Sequence, residues 1–124
     1  RRAEIPAANG HGNARSVAKI HAILACGGEA NGIRLMSPET AASVMQSRIS
    51  GEDLVLNVPM NFGLGFGILK PQVCSWGGWG GSVVIIDQAA RSSIAYVMNK
   101  MHPGLMGDTR SGTLATAFYR SLKG

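Results

Sequence analysis

Between Phe62 and Ile68 glycine takes every second position, so Phe62, Leu64, Phe66 and Ile68 alternate with Gly63, Gly65 and Gly67. A period of two belongs to an extended strand, whose successive side chains leave on opposite faces. The pattern predicts a strand with one apolar face and one bare face. Glycine weakens a strand, so three in register imply that something packs closely on the bare side. A chain built around such a segment needs further strands to pair with it. They follow at once: Cys74 to Gly78, then Ser82-Val83-Val84-Ile85-Ile86-Asp87, a turn through Gln88-Ala89-Ala90-Arg91, and Ser92 to Asn99. The last two are β-rich segments and read as a hairpin pair.

Helical signals lie outside this run. The small, turn-prone residues 5–12 read as a loop. Asn13 then caps a helix to about Ala25, with Val17, Ile20, Ile23 and Leu24 as its apolar stripe and Gly27-Gly28 as its stop. Asn31-Gly32 is a tight-turn dipeptide. Ser37-Pro38-Glu39 starts a second helix, with Ser37 as cap and Pro38 in the first turn; it is expected to run through Met45 to about Ser47. Asp108 caps a third, in which Leu114, Phe118 and Leu122 share a face. Helices flanking the strands without alternating with them indicate an α+β fold, an antiparallel sheet of three to four strands packed with helices. No internal repeat or low-complexity linker divides residues 1–124, which read as one domain.

The composition narrows the class further. With 45% hydrophobic and 15% charged residues, the chain is globular and not a disordered tail. No apolar run is long enough to span a bilayer, so a soluble protein is expected, its compartment left open. The start, Arg1-Arg2-Ala3-Glu4-Ile5-Pro6, has neither initiator Met nor a signal-like stretch, and a fragment or processed subunit is expected. Net charge is +5, yet apart from Arg1-Arg2 the basic residues are scattered from Arg15 to Lys123. Nucleic-acid footprints cluster such charges among aromatics, so no nucleic-acid partner is expected; a missing acidic part of the protein also accounts for the imbalance. Cys26 and Cys74 are far apart, with no Cys-x-x-Cys and no His at ligand spacing, so no metal is expected.

The densest chemical signal is Ser75-Trp76-Gly77-Gly78-Trp79-Gly80-Gly81-Ser82, with two Trp and four Gly in eight residues. Glycines let a backbone N–H approach a ligand, and Trp supplies a flat apolar wall. Such a strand can aim an N–H at a developing oxyanion. A glycine-rich hairpin with its Trp residues packed in the core explains the residues equally well. The stretch resembles the third active-site motif of the serine β-lactamase, penicillin-binding-protein and related esterase superfamily, where Lys-Thr-Gly, His-x-Gly or Trp-Gly-Gly lies on the sheet strand lining the site. The flanks are similar to the esterase branch (family VIII-type carboxylesterases) as well: Asn9-Gly10-His11-Gly12-Asn13-Ala14-Arg15-Ser16, Leu35-Met36-Ser37-Pro38-Glu39-Thr40, Phe62-Gly63-Leu64-Gly65-Phe66, Ala95 to Met101, and Pro103-Gly104 through Gly107-Asp108-Thr109-Arg110.

The resemblance implies that residues 1–124 are the C-terminal segment of a β-lactamase-related serine hydrolase domain, a portion of the β-lactamase/transpeptidase-like fold. Trp76, Gly77 and Gly78 would bind substrate, and the N–H of Trp79 would form one arm of the oxyanion hole. The partner arm belongs to the nucleophilic Ser, which the family carries upstream together with a Tyr-x-Asn or equivalent base motif; neither has a convincing match here. Ser16-Val17-Ala18-Lys19 does satisfy Ser-x-x-Lys, and residues three apart share a helix face, so Lys19 could activate Ser16. A pattern with two fixed positions recurs by chance, however, and the Asn9–Leu24 stretch matches a later helix of the family. His11 lies in a Gly-flanked loop and is read as a turn residue near the cleft; His21 and His102 lack a neighbouring carboxylate in sequence. Gly63-Leu64-Gly65-Phe66-Gly67 lacks the spacing and the Lys of a phosphate loop.

The expected function is ester or acyl hydrolysis by a serine hydrolase to which this segment gives the third motif, with a small-molecule ester or acyl substrate and no cofactor. A short-chain ester, a β-lactam and a D-amino-acid peptide all remain open; Trp76 in place of a cation favours the ester. The other reading is a non-catalytic chain that binds a partner, either the missing N-terminal half or another copy of itself, through exposed sheet edges.

Overall fold

Asn13 opens the first helix as the sequence requires. Its side chain accepts from the Ser16 amide, while the Ser16 hydroxyl takes the Asn13 amide, a closed capping box. Helix α1 (Ala14–Ala25) ends in a Schellman turn: the Gly27 amide bonds to Leu24 O and that of Gly28 to Ile23 O, with φ of +78° and +98°. The computed structural model describes residues 4–8 and 10–123; Arg1, Arg2, Ala3, Asn9 and Gly124, and with them the Arg1-Arg2 pair, lie outside the described residues. The loop expected over residues 5–12 contains one 3₁₀ turn, Pro6–Ala8.

Strands β1 (Glu29–Ala30) and β2 (Ile33–Arg34) form a small hairpin across Asn31-Gly32, both at positive φ, as a two-residue turn demands. Ser37 caps α2 (Pro38–Val44), with Met45 as its last cap, three residues short of the expected end near Ser47. Six antiparallel strands follow in sequence order: β3 (Ile49–Asp53), β4 (Val58–Phe62), β5 (Gly67–Lys70), β6 (Val73–Gly77), β7 (Val83–Asp87) and β8 (Ser92–Tyr96). Helix α3 (Thr109–Ser121) closes the chain from its Asp108 cap. The α+β order holds, but the sheet is wider than the three to four strands expected. The additional width is the β3–β4 hairpin: β3, Ile49-Ser50-Gly51-Glu52-Asp53, is largely polar, and β4, though Val58, Met60 and Phe62 alternate, is interrupted by Pro59.

The glycine alternation also has a different outcome. Phe62 ends β4 and Gly67 starts β5, and the two pair directly; residues 63–66 between them are the turn, closed by the Gly63 amide on Phe66 O at 2.8 Å. Gly65 takes φ +80°, which an L side chain resists. A Cβ at Gly63 would lie 2.6 Å from Val44 O and 3.0 Å from Gln46 O, so the expected close packing holds at Gly63, against the end of α2, whereas a Cβ at Gly65 would meet nothing within 4 Å.

Alternation in β6 and β7 divides the sheet into two faces. Cys74, Val84 and Ile86 point to α1 and α2, where they join Leu24, Ala25, Ala41 and Met45 in the buried core. Ala25 and Ala41 are small enough to bring both helix backbones close to the strands. The Gln88 amide then bonds Leu24 O at 3.1 Å and Ala41 O at 3.0 Å, fastening both helices to the β7–β8 turn. Val73, Ser75, Val83, Ile85 and Asp87 face α3, whose Tyr119 hydroxyl donates to Asp87 at 3.0 Å. That bond turns the helix so that Ser111 is buried while Leu114 and Leu122 stay about half exposed, contrary to an inward Leu114–Phe118–Leu122 face.

Two measurements follow. Gly63→Ala should cost roughly 1–3 kcal/mol by overpacking against backbone that cannot swing away, read as a lower thermal midpoint by circular dichroism; Gly51→Ala, with open space around its Cβ, is the matched control and should change little. Burial pushes the Cys74 thiol up to about 12, so in the folded chain iodoacetamide near pH 8 should modify Cys26 alone. Prior denaturation should add Cys74, and modification of both in the native protein would contradict the buried placement.

Candidate active site

Trp76 and Gly77 end β6 opposite Val84 and Val83, and the chain then turns sharply through 78–82 before β7. The turn is closed by its own backbone: the Gly78 amide bonds Ser82 O at 2.9 Å and that of Gly81 bonds Gly78 O at 3.1 Å. Gly80 and Gly81 sit at φ +98° and +110°, positions that only glycine takes without strain. The Gly80 amide donates to Gly104 O at 3.0 Å, and Gly80 O accepts from the His102 amide at 2.9 Å. Between these engaged groups the N–H of Trp79 donates to no acceptor among the described residues. Its indole stands 60% exposed at the tip.

A cleft of about 610 Å³ opens beside this turn, between the start of α1 and the end of the sheet. Trp76, Gly77, Gly78 and Ser82 form one wall; His11, Ser16, Val17 and Ile20 form the facing one, with Phe66, Val97 and Met98 at the sides. The Trp76 ring leans on Phe62 at 5.6 Å between centroids. His21 also lines the cleft; its Nδ1 lies 2.7 Å from Val17 O and its ring meets the Phe66 ring edge-on. Among the described residues no Lys or Arg lines this cleft. His11, read from sequence as a turn residue, does reach it; Phe66, Val97 and Met98 were not singled out for the site, and only tertiary packing brings them there.

Ser16 and Lys19 are not brought together as a pair. The Ser16 hydroxyl is taken up by the capping box, 3.0 Å from Asn13 O, and faces the Trp76 cleft. Lys19 lines a separate groove with Arg15, Ser92 and Phe118 on another side of α1. Among the described residues no group of three or more His, Cys, Asp or Glu gathers as metal ligands, and no helix is long and apolar enough to cross a membrane.

Behind the turn lies an ion pair. The Asp108 side chain, only 3% exposed, accepts from Arg110 Nε at 2.9 Å and from Arg110 Nη2, and also from the Arg110 and Ser111 amides at 2.8 and 3.3 Å. The Arg110 guanidinium, with the two amides, holds the Asp108 carboxyl down to about 2. On the opposite end of the sheet, burial and the Asp87 carboxylate push the Tyr119 hydroxyl up to about 12.

An antiparallel sheet packed between helices, with a cleft at the end of a glycine-rich strand, is the architecture of the β-lactamase/transpeptidase-like proteins. The family model described as Beta-lactamase matches residues 1–117, and the chain belongs to that family. Esterase/beta-lactamase LipL of Mycobacterium tuberculosis is 36% identical over 118 residues, 89% of this chain and 27% of that protein. Among solved structures, a family VIII carboxylesterase superposes with a TM-score of 0.83 at 34% identity, covering 88% of this chain and 31% of its own. A penicillin-binding-protein homologue from Caulobacter crescentus superposes with a TM-score of 0.87 at 38% identity, covering 98% and 35%. The chain thus spans about a third or less of each of these relatives.

The Asp108 environment has a pH consequence. Its carboxyl ionises in the folded chain near 2 against an ordinary 3.8, so the stability it supplies is complete above about pH 4 and is lost as pH falls through about 2. Asp108→Asn should lower stability at neutral pH and flatten the fall between those values in urea titrations. An unchanged acid limb would place the effect on other carboxylates.

Proposed function

We propose that this chain supplies the third-motif wall of a serine hydrolase that cleaves an ester or related acyl substrate, with the N–H of Trp79 as one arm of the oxyanion hole. The observation that carries this reading is the uncommitted Trp79 amide, held between engaged Gly78 and Gly80 amides and directly following Trp76, Gly77 and Gly78, which line the cleft. A donor that is already fixed and unpaired costs no rearrangement when charge develops, which is the requirement for oxyanion stabilisation. Family membership and the esterase and β-lactamase names of the relatives support the reaction class.

In this reading the nucleophilic Ser and its Lys/Tyr proton carriers lie on a part of the protein outside these residues. The Ser oxygen bonds the substrate carbonyl carbon and its proton passes to the base, while the carbonyl π pair moves onto oxygen, facing Trp79 N–H. Collapse expels the alcohol, which takes that proton; water then attacks the acyl-enzyme and releases the acid. Trp76 shapes the pocket for the acyl or alcohol group beside Phe66 and Ile20. Trp76 stands where a cation would grip a substrate carboxylate, and among the described residues no Lys or Arg lines the cleft, which favours a neutral ester over a β-lactam or a D-amino-acid peptide.

Replacing Trp79 by its α-hydroxy analogue exchanges the N–H for an ester oxygen and keeps the side chain. In the hydrolase that carries this chain with its nucleophile, kcat should fall about 10²–10³-fold with KM little changed. The isolated 124-residue chain should give no acyl-enzyme burst with p-nitrophenyl acetate, and a Ser16→Ala hydrolase should still form the acyl-enzyme. Covalent labelling of Ser16 by a fluorophosphonate would overturn the assignment.

A further inference from the structure

Resting on the oxyanion reading above, we infer that Arg110, through its pair with Asp108, is a positioning residue that sets the Trp79 N–H by clasping the 78–81 turn from behind. The segment between β8 and α3 wraps that turn at successive points. A Cβ at Gly77 would lie 2.8 Å from Met106 Cα and 2.9 Å from Leu105 O; one at Gly80 would lie 2.6 Å from Met98 Cε; one at Gly81 would lie 2.5 Å from Asp108 Oδ2 and 3.3 Å from Arg110 Nη2. The turn and the wrapping segment are thus in direct contact along their length, and Gly80 is bonded to the segment through both its N–H and its carbonyl.

Arg110 closes this segment on itself. Its Nη1 donates to Lys100 O at 2.9 Å, while Nε and Nη2 hold the Asp108 carboxylate, and its guanidinium lies 5.9 Å from the Tyr96 ring centre. The start of the segment (Lys100), its end (Asp108) and the last residue of β8 are therefore joined through one planar fork. Lysine offers a single point of charge and cannot hold the carboxylate and the carbonyl in that geometry together. Asp108 reaches back to the turn itself, since its Oδ2 fills the space in which Gly81 has no side chain. Loosening the fork frees residues 100–107, and Gly80, bonded to residues 102 and 104, moves with them. Trp79 is the neighbour of Gly80 and has no hydrogen bond of its own to hold its N–H in place.

The test uses Arg110→Lys and Arg110→Ala, because Asp108 is also the α3 cap and its removal threatens the helix. In the active hydrolase, Arg110→Ala should lower kcat about 10–100-fold with KM within about twofold, as expected for a donor displaced by a fraction of an ångström to an ångström. Arg110→Lys should recover little, and added guanidinium should restore part of the Arg110→Ala rate. If Arg110 acts through Trp79, its effect should vanish in the α-hydroxy-Trp79 background; additive effects would overturn the inference. A normal kcat for the α-hydroxy protein would instead sink the oxyanion reading, whatever Arg110 does. In the ¹⁵N-labelled 124-residue chain, Arg110→Ala should shift or broaden the amide signals of residues 78–81 and leave those of β3 and β4 in place. Unmoved signals at 78–81 would overturn the clasp directly.

Discussion

Cys74 and Ile86 face each other across the β6–β7 ladder, and neither exposes any surface. That buried pair sets the register of the two central strands, and the strand period of two then assigns every other residue on them. Two positions along, Trp76 falls on the same face opposite Val84, at the border of the α1 packing. One position further, Gly77 falls on the other face, against residues 105 and 106. A slip of one residue would put Trp76 into the loop that Gly77 now accommodates. Core and cleft are therefore consequences of one pairing, and the stability of the first specifies the geometry of the second.

The helices follow from that ladder. Ala25 and Ala41 let α1 and α2 approach the Cys74–Ile86 face, and Gln88 consumes a backbone carbonyl from each, so both helices are held to a β-turn and not only to apolar surface. On the reverse face α3 is tied to its surroundings near both ends, by Arg110 Nη1 on Lys100 O at its start and by the Tyr119–Asp87 contact near its finish. Its Leu114 and Leu122 are left facing outward as a result. Polar contacts here decide orientation, while the apolar core decides proximity.

The parts of this arrangement that local chemistry specifies could be read from the residues. Asn13, Ser37-Pro38 and Asp108 mark helix starts because a cap is a contact within three or four residues, and Asn31-Gly32 marks a hairpin for the same reason. The β7 run, Val83-Val84-Ile85-Ile86, is dense enough in β-branched residues to declare itself, and β8 follows it across a short turn. By contrast, Ile49-Ser50-Gly51-Glu52-Asp53 becomes a strand only by pairing with β4, and nothing in its own order announces it. The Phe62–Ile68 alternation imitates a strand because a turn that needs Gly65 for its φ and Gly63 for its contact with α2 happens to space them two apart. At the cleft, the Trp76–Gly81 cluster was visible as a cluster. The approach of Phe66 and Met98 was not, since it depends on elements distant in sequence, and the Asp108–Arg110 pairing was hidden behind the capping role of Asp108.

The turn at 78–81 has a bearing on how such a chain is interrogated by mutation. The donor of interest there, the Trp79 N–H, belongs to the main chain, and every residue except proline carries the same group. An alanine scan would pass over position 79 with the donor intact, reporting only the loss of an exposed indole, and would register its largest effects at Gly77, Gly80 and Gly81, where a methyl group collides with the supporting segment. Tolerance at 79 and intolerance at its neighbours would then be the mark of a working backbone, a pattern that side-chain chemistry alone would lead an experimenter to read the wrong way round.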